Sequence, residues 1–171
     1  FGPYGAARDA AVERALAEID VPLVRTGSPY AVAPGRVVKS DGTPYRVYSP
    51  FYRAWITHGW RAPATPRRSF PWASSSERDR PSALERIGAC SSLDTLPPAG
   101  EVAALTRWHD FRDSALDDYA DDRNRPDIDG SSRLSVHLKY GEIHPRTILA
   151  ELGDSKGHEV FRKELAWREF Y

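Results

Sequence analysis

The sequence has 171 residues, of which 40% are apolar and 28% are charged. That length suits one ordinary domain or parts of two, and the apolar fraction excludes wholesale disorder. The 24 basic and 24 acidic residues cancel, which excludes a globally basic nucleic-acid-binding protein but leaves room for a local basic face. The single cysteine excludes an internal disulfide and a cysteine-based zinc site.

These features predict where the protein works. No apolar run is long enough to span a bilayer, and no signal-peptide pattern opens the chain. With one cysteine, this predicts a protein of the reducing bacterial cytoplasm that has no membrane partner. The chain contains no methionine, so we expect it to be an internal segment of a longer reading frame.

The first segment resembles the end of an α/β sheet domain. Residues 6–19 predict an amphipathic helix, since the apolar residues Val12, Leu16 and Ile19 follow at i, i+4 and i+7. Leu23 and Val24 then predict a short strand that ends before Gly27. A helix followed by a short apolar strand is typical of the last αβ unit of such a domain.

Residues 28–98 are rich in proline and predict a long, mostly irregular connector. Within it, Asp41-Gly42 predicts a tight hairpin turn, and Ser49 is the expected cap of a short helix that ends at Gly59. Residues 33–80 hold nine basic and three acidic residues among many aromatic rings. This mixture suits nucleic-acid binding, although on composition alone a solvated connector pinned by its aromatic side chains is the favoured alternative.

The chain from residue 99 onward is predicted to be helical, so the fold class is mainly α. A second amphipathic helix is predicted over 99–122, followed by short helices over 132–140 and 146–152. A last helix is predicted over 157–171.

The stretch 129–135 (DGSSRLS) is the first candidate binding site. Gly130 permits a sharp turn, and hydroxyls with an arginine follow at the predicted start of a helix. Exposed N–H groups, hydroxyls and a cation there suit a phosphate or pyrophosphate. The alternative is an ordinary helix cap, with Ser131 capping and Arg133 in solvent.

The closing stretch 164–171 (ELAWREFY) is the second candidate. Glu164, Trp167 and Arg168 follow at i, i+3 and i+4, so they share one helix face. A carboxylate, an indole and a guanidinium together could hold a planar aromatic ligand. The alternative is a Glu164–Arg168 ion pair above a core tryptophan. The five histidines show no metal-ligand spacing.

Three stretches in this order resemble the DNA photolyase/cryptochrome family, most closely its class I cyclobutane pyrimidine dimer photolyases. They are residues 43–55 (TPYRVYSPFYRAW), residues 129–135 with their continuation to Arg146, and residues 164–171. The resemblance covers essentially the whole chain. It implies three parts, which are the end of an α/β antenna domain over 1–27, a connector over 28–98, and the first part of a helical FAD-binding domain over 99–171.

The resemblance also implies roles for particular residues. FAD would be contacted by one aromatic ring, the hydroxyl segment and one arginine, namely Tyr119, Ser131, Ser132, Arg133, Leu134, Ser135 and Arg168. Glu164 and Trp167 would be the catalytic pair that lines the cavity for the damaged bases. DNA contacts would come from these two together with Arg123 and Tyr171.

The implied activity is light-driven repair of cyclobutane pyrimidine dimers in UV-damaged DNA by a flavoprotein that works as a monomer. Reduced FAD would pass an electron to a flipped-out dimer, and a second antenna chromophore, a folate or a deazaflavin, would accompany it in the full protein. The alternative within the resemblance is a cryptochrome, a flavin photoreceptor that repairs nothing.

Overall fold

The computed structural model describes residues 3–65, 69 and 96–170. In these ranges the secondary structure is helical, and no strand occurs. Seven helices lie in these ranges, namely α1 (Pro3–Ala17), α2 (Tyr48–His58), α3 (Glu101–Ser114), α4 (Tyr119–Asp122), α5 (Ser135–Tyr140), α6 (Pro145–Ala150) and α7 (Lys156–Phe170). The prediction of a mainly α chain is confirmed. None of the described helices is both long and apolar enough to cross a bilayer.

Helix α1 forms close to the predicted range, but the strand after it does not. Its apolar residues pack on nothing buried, and Val12 is 44% exposed. The strand predicted at Leu23 and Val24 is wrong, since residues 21–28 have no regular secondary structure. A strand needs a neighbour that completes its backbone hydrogen bonds, and no described segment supplies one.

The hairpin predicted at Asp41-Gly42 is likewise wrong, although the turn itself forms. The N–H of Lys39 donates to the carbonyl of Thr43 at 2.9 Å. The Asp41 carboxylate accepts from the backbone N–H of Thr43 at 2.9 Å and from its hydroxyl at 2.6 Å. These local bonds hold the turn by themselves, so the flanking residues need not pair as strands.

Helix α2 begins one residue before the predicted cap. Val47, with an extended backbone, stands in the cap position, and no side chain caps the helix. Pro50 falls in the first turn, where its missing N–H costs no hydrogen bond. Gly59 ends the helix at φ +65°, as predicted.

The single helix predicted over 99–122 is interrupted between α3 and α4. The backbone N–H groups of Ala115 and Leu116 both donate to Phe111, which closes α3, and the Leu116 side chain is fully buried. Gly157 of α7 packs directly against the Leu116 carbonyl. The crossing of α7 therefore occupies the path that a continuous helix would follow.

Helix α7 is the centre of the packing and carries aromatic rings on two faces. On one face Phe161 joins a cluster with Trp108, Phe111 and Tyr119, with ring centroids 5.2–5.7 Å apart for its three pairs. On the other face Trp167 and Phe170 pack on α2. Aromatic pairs of this kind add about 0.5–1.5 kcal/mol each beyond simple burial, so α7 fixes both neighbours.

Candidate functional site

A cavity of about 470 Å³ lies between α4, α5, α7 and the start of the connector. Six of the residues singled out from the sequence line it, namely Tyr119, Ser132, Leu134, Ser135, Glu164 and Arg168. The structure therefore brings parts of both candidate motifs and the intervening tyrosine to one place. Five lining residues were missed by the sequence analysis, namely Tyr30, Leu138, Lys139, Phe161 and Leu165.

The hydroxyl segment lies before a helix, not inside its first turn. Helix α5 begins at Ser135, its cap position is Leu134, and no side chain caps it. The expectation that Ser131 caps this helix is therefore wrong. The Ser132 hydroxyl accepts a 3.4 Å bond from the backbone N–H of Leu134, which turns the segment toward the cavity.

Gly130 is required for a different reason from the one that the sequence suggested. Its backbone does not have a positive φ. A Cβ atom at this position would lie 2.8 Å from the Cβ of Asp122, so a side chain here would collide with the end of α4. The glycine allows the loop before the hydroxyl segment to pass close to α4.

The Arg133 side chain points away from the cavity. Its backbone is left-handed, with φ +53°, and its Nε donates to the Asp129 carboxylate at 2.8 Å. It lines a second cavity, of about 440 Å³, on the other side of the segment. Arg133 therefore lines the second cavity and not the first.

Tyr119 forms an aromatic wall of the cavity. It is buried, and its ring meets Phe111 and Phe161 edge to face. Burial raises the pKa of its phenol. The guanidinium of Arg123 lies 5.6 Å from the ring centroid, within range of a cation–π contact.

Glu164 and Arg168 of the closing motif have separate partners. Glu164 pairs with Arg123, with 2.6 Å between the carboxylate oxygen and the guanidinium nitrogen, and both side chains are about one third exposed. Arg168 donates to the carbonyls of Pro29 at 2.9 Å and Leu138 at 3.1 Å. The alternative of a Glu164–Arg168 pair is therefore wrong, and Arg168 ties the connector to α5.

Trp167 lies on α7 beside the cavity but is not among the described residues that line it. Its ring stacks on Tyr48, with centroids 3.6 Å apart and planes 8° from parallel. The Tyr48 hydroxyl donates to the carbonyl of Lys163 at 2.7 Å. One face of the indole is thus held by α2. Tyr171, the remaining residue of the motif, lies outside the described residues.

Glu169 is a functional candidate that sequence reasoning missed. Its carboxylate accepts hydrogen bonds from the backbone N–H of Ala31, from that of Val32 at 3.1 Å, and from the Trp55 indole at 2.7 Å. Burial raises the pKa of this carboxyl. No local pattern could reveal these bonds, because the three partners lie 114 to 138 residues away in the chain.

The cavity combines the groups that an anionic ligand with a planar ring would need. Hydroxyls from Ser132 and Ser135 and the cations of Lys139 and Arg168 line it together with aromatic rings. Hydroxyls and cations suit phosphate oxygens, and rings suit stacking. Within the described ranges no group of three or more His, Cys, Asp or Glu is placed to hold a metal ion. The donor set therefore fits a phosphorylated organic cofactor.

Fold and cavity together define a helical chain with a candidate ligand cavity between its helices, and comparison with known proteins gives its family. The family model for DNA photolyase matches residues 1–69. A solved class III photolyase from Agrobacterium tumefaciens is 29% identical, with a TM-score of 0.71 over 98% of this chain and 37% of that one.

Curated relatives identify the family further. The deoxyribodipyrimidine photo-lyase of Alkalihalophilus pseudofirmus is 35% identical over 98% of this chain and 36% of its own length. That of a Thermus thermophilus strain is 35% identical over 99% of this chain and 37% of its own length. The chain belongs to the DNA photolyase family and spans somewhat more than a third of the length of these relatives.

Proposed function

We propose that the protein containing this chain repairs cyclobutane pyrimidine dimers in DNA with FAD and light. The observation that carries the proposal is the cavity where Tyr119, the hydroxyl segment and the closing motif meet. The names of the curated relatives, deoxyribodipyrimidine photo-lyases, support the lesion class. The proposal concerns the whole protein, of which this chain is a part.

FAD would bind across the cavity. The backbone N–H groups and hydroxyls of the segment formed by Ser131, Ser132, Arg133, Leu134 and Ser135 would hold its phosphates. Tyr119 would pack against it, and Arg168 would face the flavin ring. When bound, the flavin supplies the electron that opens the cyclobutane ring, while the protein binds, orients and excludes water.

DNA would approach through the other charged residues. Arg123 would contact a phosphate, Glu164 would accept a hydrogen bond from a flipped-out pyrimidine, and Trp167 would pack on its ring. Tyr171 completes this proposed set. Because Arg123 pairs with Glu164, which lines the cavity, DNA binding would have to exchange this ion pair for two new contacts.

The domain division rests on the same proposal. Residues 1–27 would end an α/β antenna domain, residues 28–98 would connect, and residues 99–171 would begin the FAD-binding domain. The exposed apolar residues of α1 support the first assignment, because a helix with no buried residue lacks its packing partner. The rest of the antenna domain would hold the second chromophore, and we expect a cytoplasmic monomer.

The test is repair under light. Dimer-containing DNA is irradiated with blue light in the presence of the natural protein, and the remaining dimers are counted against a dark control. Light-dependent loss of dimers supports the proposal. Bound flavin without repair would instead indicate a photoreceptor of the cryptochrome type.

Variants of α7 make this test specific. We predict that Glu164→Ala weakens binding to dimer-containing DNA while FAD stays bound, because its carboxylate is the proposed acceptor for the pyrimidine. The matched control is Glu159→Ala, which removes an exposed carboxylate of the same helix that pairs with Lys163. Equal DNA affinity of the two variants would remove Glu164 from the site.

A further inference from the structure

Arg107 holds the back of the hydroxyl segment. It lies on α3, and its Nε donates to the carbonyl of Ser132 at 2.8 Å while its Nη2 donates to that of Ser131 at 2.8 Å. Asp129 lies 4.0 Å from the same guanidinium. The rigid fork of an arginine suits two adjacent acceptors, which a lysine cannot hold in one plane.

The two sides of the segment face different cavities. Arg107 lines the second cavity together with Asp129 and Arg133, whereas Ser132 and Ser135 line the ligand cavity. In a trans peptide the C=O and N–H bonds point in opposite directions. Carbonyls held by Arg107 therefore direct the N–H groups of the following residues away from it, toward the ligand cavity.

The conformation that results is not one that the segment would adopt unaided. The left-handed backbone of Arg133 is disfavoured for a residue with a side chain. Two other side chains stabilise this backbone conformation. The Asp129 carboxylate accepts from the Arg133 guanidinium at 2.8 Å, and Arg107 binds the carbonyls that precede Arg133. Removal of the Arg107 fork leaves the exposed Asp129 pair and the long bond from the Leu134 N–H to the Ser132 hydroxyl to hold this geometry.

We propose that Arg107 is a positioning residue for the pyrophosphate of the bound dinucleotide. It does not touch the ligand. It fixes the peptide planes that aim the N–H groups of Ser132 and Arg133 at the phosphates, and its positive charge behind them favours an anion in front. This inference rests on the proposed function, which places the FAD phosphates at residues 131–135.

The experiment measures FAD affinity. The apoprotein of the natural protein is titrated with FAD, and flavin fluorescence gives the dissociation constant. We expect Arg107→Gln to raise this dissociation constant at least about tenfold, because the N–H groups that bind the phosphates would lose their fixed orientation. Arg107→Lys, which can hold one carbonyl at a time, should fall between wild type and Arg107→Gln.

The matched control is Arg112→Gln. Arg112 lies on the same helix and pairs with Glu151 and Asp113, without contacting the hydroxyl segment. Its loss should lower the urea midpoint of unfolding while leaving the FAD constant within about twofold of wild type. Equal weakening in both variants would mean a general structural role and would overturn the proposal.

The remaining outcomes distinguish failure of the proposed function from failure of the role of Arg107. Wild-type protein that binds no FAD overturns the proposed function itself. Wild-type binding with unchanged affinity in Arg107→Gln overturns only the role of Arg107. If Arg107→Gln fails to fold, Arg107→Lys decides, because wild-type affinity in that variant would overturn the role and a constant raised at least about threefold would support it.

Discussion

Tyr48 of α2 contacts α7 through both its ring and its hydroxyl. Its ring stacks on Trp167, and its hydroxyl donates to the Lys163 carbonyl one turn earlier on α7. Burial raises the pKa of this phenol, so the hydroxyl keeps its proton and remains a donor. The stack holds the indole, and the hydrogen bond fixes α2 along α7.

We predict that Tyr48→Phe keeps the stack and loses the bond. The unfolding free energy should fall by about 1 kcal/mol, because the buried hydrogen bond disappears while the ring still packs. Urea unfolding of the natural protein measures this loss. Tyr140→Phe is the control, since Tyr140 is 75% exposed and its change should alter stability by less than about 0.5 kcal/mol. Equal effects would show that the Tyr48 hydroxyl contributes nothing.

A second prediction concerns pH. His137 is buried at the end of α5, and its Nδ1 lies 2.5 Å from the Glu142 carboxylate. This hydrogen bond lowers the pKa of Glu142 below its ordinary value of 4.5. A carboxyl with a lowered folded-state pKa stabilises the fold above the unfolded value, and this contribution is lost as the pH falls through the folded-state value.

The measurement compares wild type with Glu142→Gln by urea unfolding from about pH 7 down to about pH 3. The stability difference between them should shrink as the pH falls below 4.5. A difference that does not change across this range would show that the His137 contact does not favour the ionised carboxylate.

At the scale of elements, the crossing of α7 over the turn between α3 and α4 decides the shape of the cavity. This crossing brings Phe161 against Tyr119 and places Glu164 opposite Arg123. It depends on Gly157, where a Cβ would lie 1.9 Å from the Leu116 carbonyl oxygen and 2.6 Å from that of Asp117. Both obstacles are backbone atoms, which cannot rotate aside.

We therefore predict that Gly157→Ala lowers the unfolding free energy by about 3 kcal/mol or more, because α7 must move away from the turn. Gly153→Ala is the matched control, since its Cβ would meet only the His158 ring at an ordinary 3.6 Å. Thermal unfolding of both variants gives the comparison. A Gly157→Ala protein as stable as the control would show that α7 is not fixed by this contact.

The helices could be predicted from sequence because their apolar periodicity is local. Helix α7 begins one residue before its predicted start, and α2 begins two residues before Pro50, the predicted first helical position. The local sequence could not show whether a strand forms at Leu23 or a hairpin at Asp41, since a strand is stable only when a second strand pairs with it. Local spacing predicted that Glu164 and Arg168 share a face of α7, and both side chains line the cavity. Long-range contributors such as Arg107 carry no local signal.

At the scale of the whole molecule, the start of the connector is fastened to the helical part along its backbone. The backbone of residues 28–32 forms hydrogen bonds with four side chains of the helical part. We call these four the connector clamp, namely His144, Arg146, Arg168 and Glu169. The clamp holds Tyr30 in the cavity wall, with the Arg168 guanidinium 4.9 Å from its ring centroid.

Among these four side chains, Glu169 is the one that accepts hydrogen bonds from the backbone of residues 28–32, so we predict that Glu169→Gln loosens the connector. An amide nitrogen would replace one of the two carboxylate oxygens, so the uncharged side chain could no longer accept both from Ala31 and from Val32 and Trp55. The backbone amides of Ala31 and Val32 should then exchange hydrogen at least about tenfold faster, as expected when a charge-assisted bond is lost. Hydrogen exchange followed by mass spectrometry measures this change in the natural protein.

The control must lower stability without touching the connector. Glu151→Gln does so, because Glu151 accepts from the Trp108 indole at 2.9 Å and from Arg112 at 2.5 Å, both on α3. Its amides at 31 and 32 should stay protected while its unfolding midpoint falls. If both variants expose these amides equally, protection there reflects global unfolding alone, and the clamp has no separate role. If only Glu169→Gln exposes them, one carboxylate holds the connector to the cavity wall.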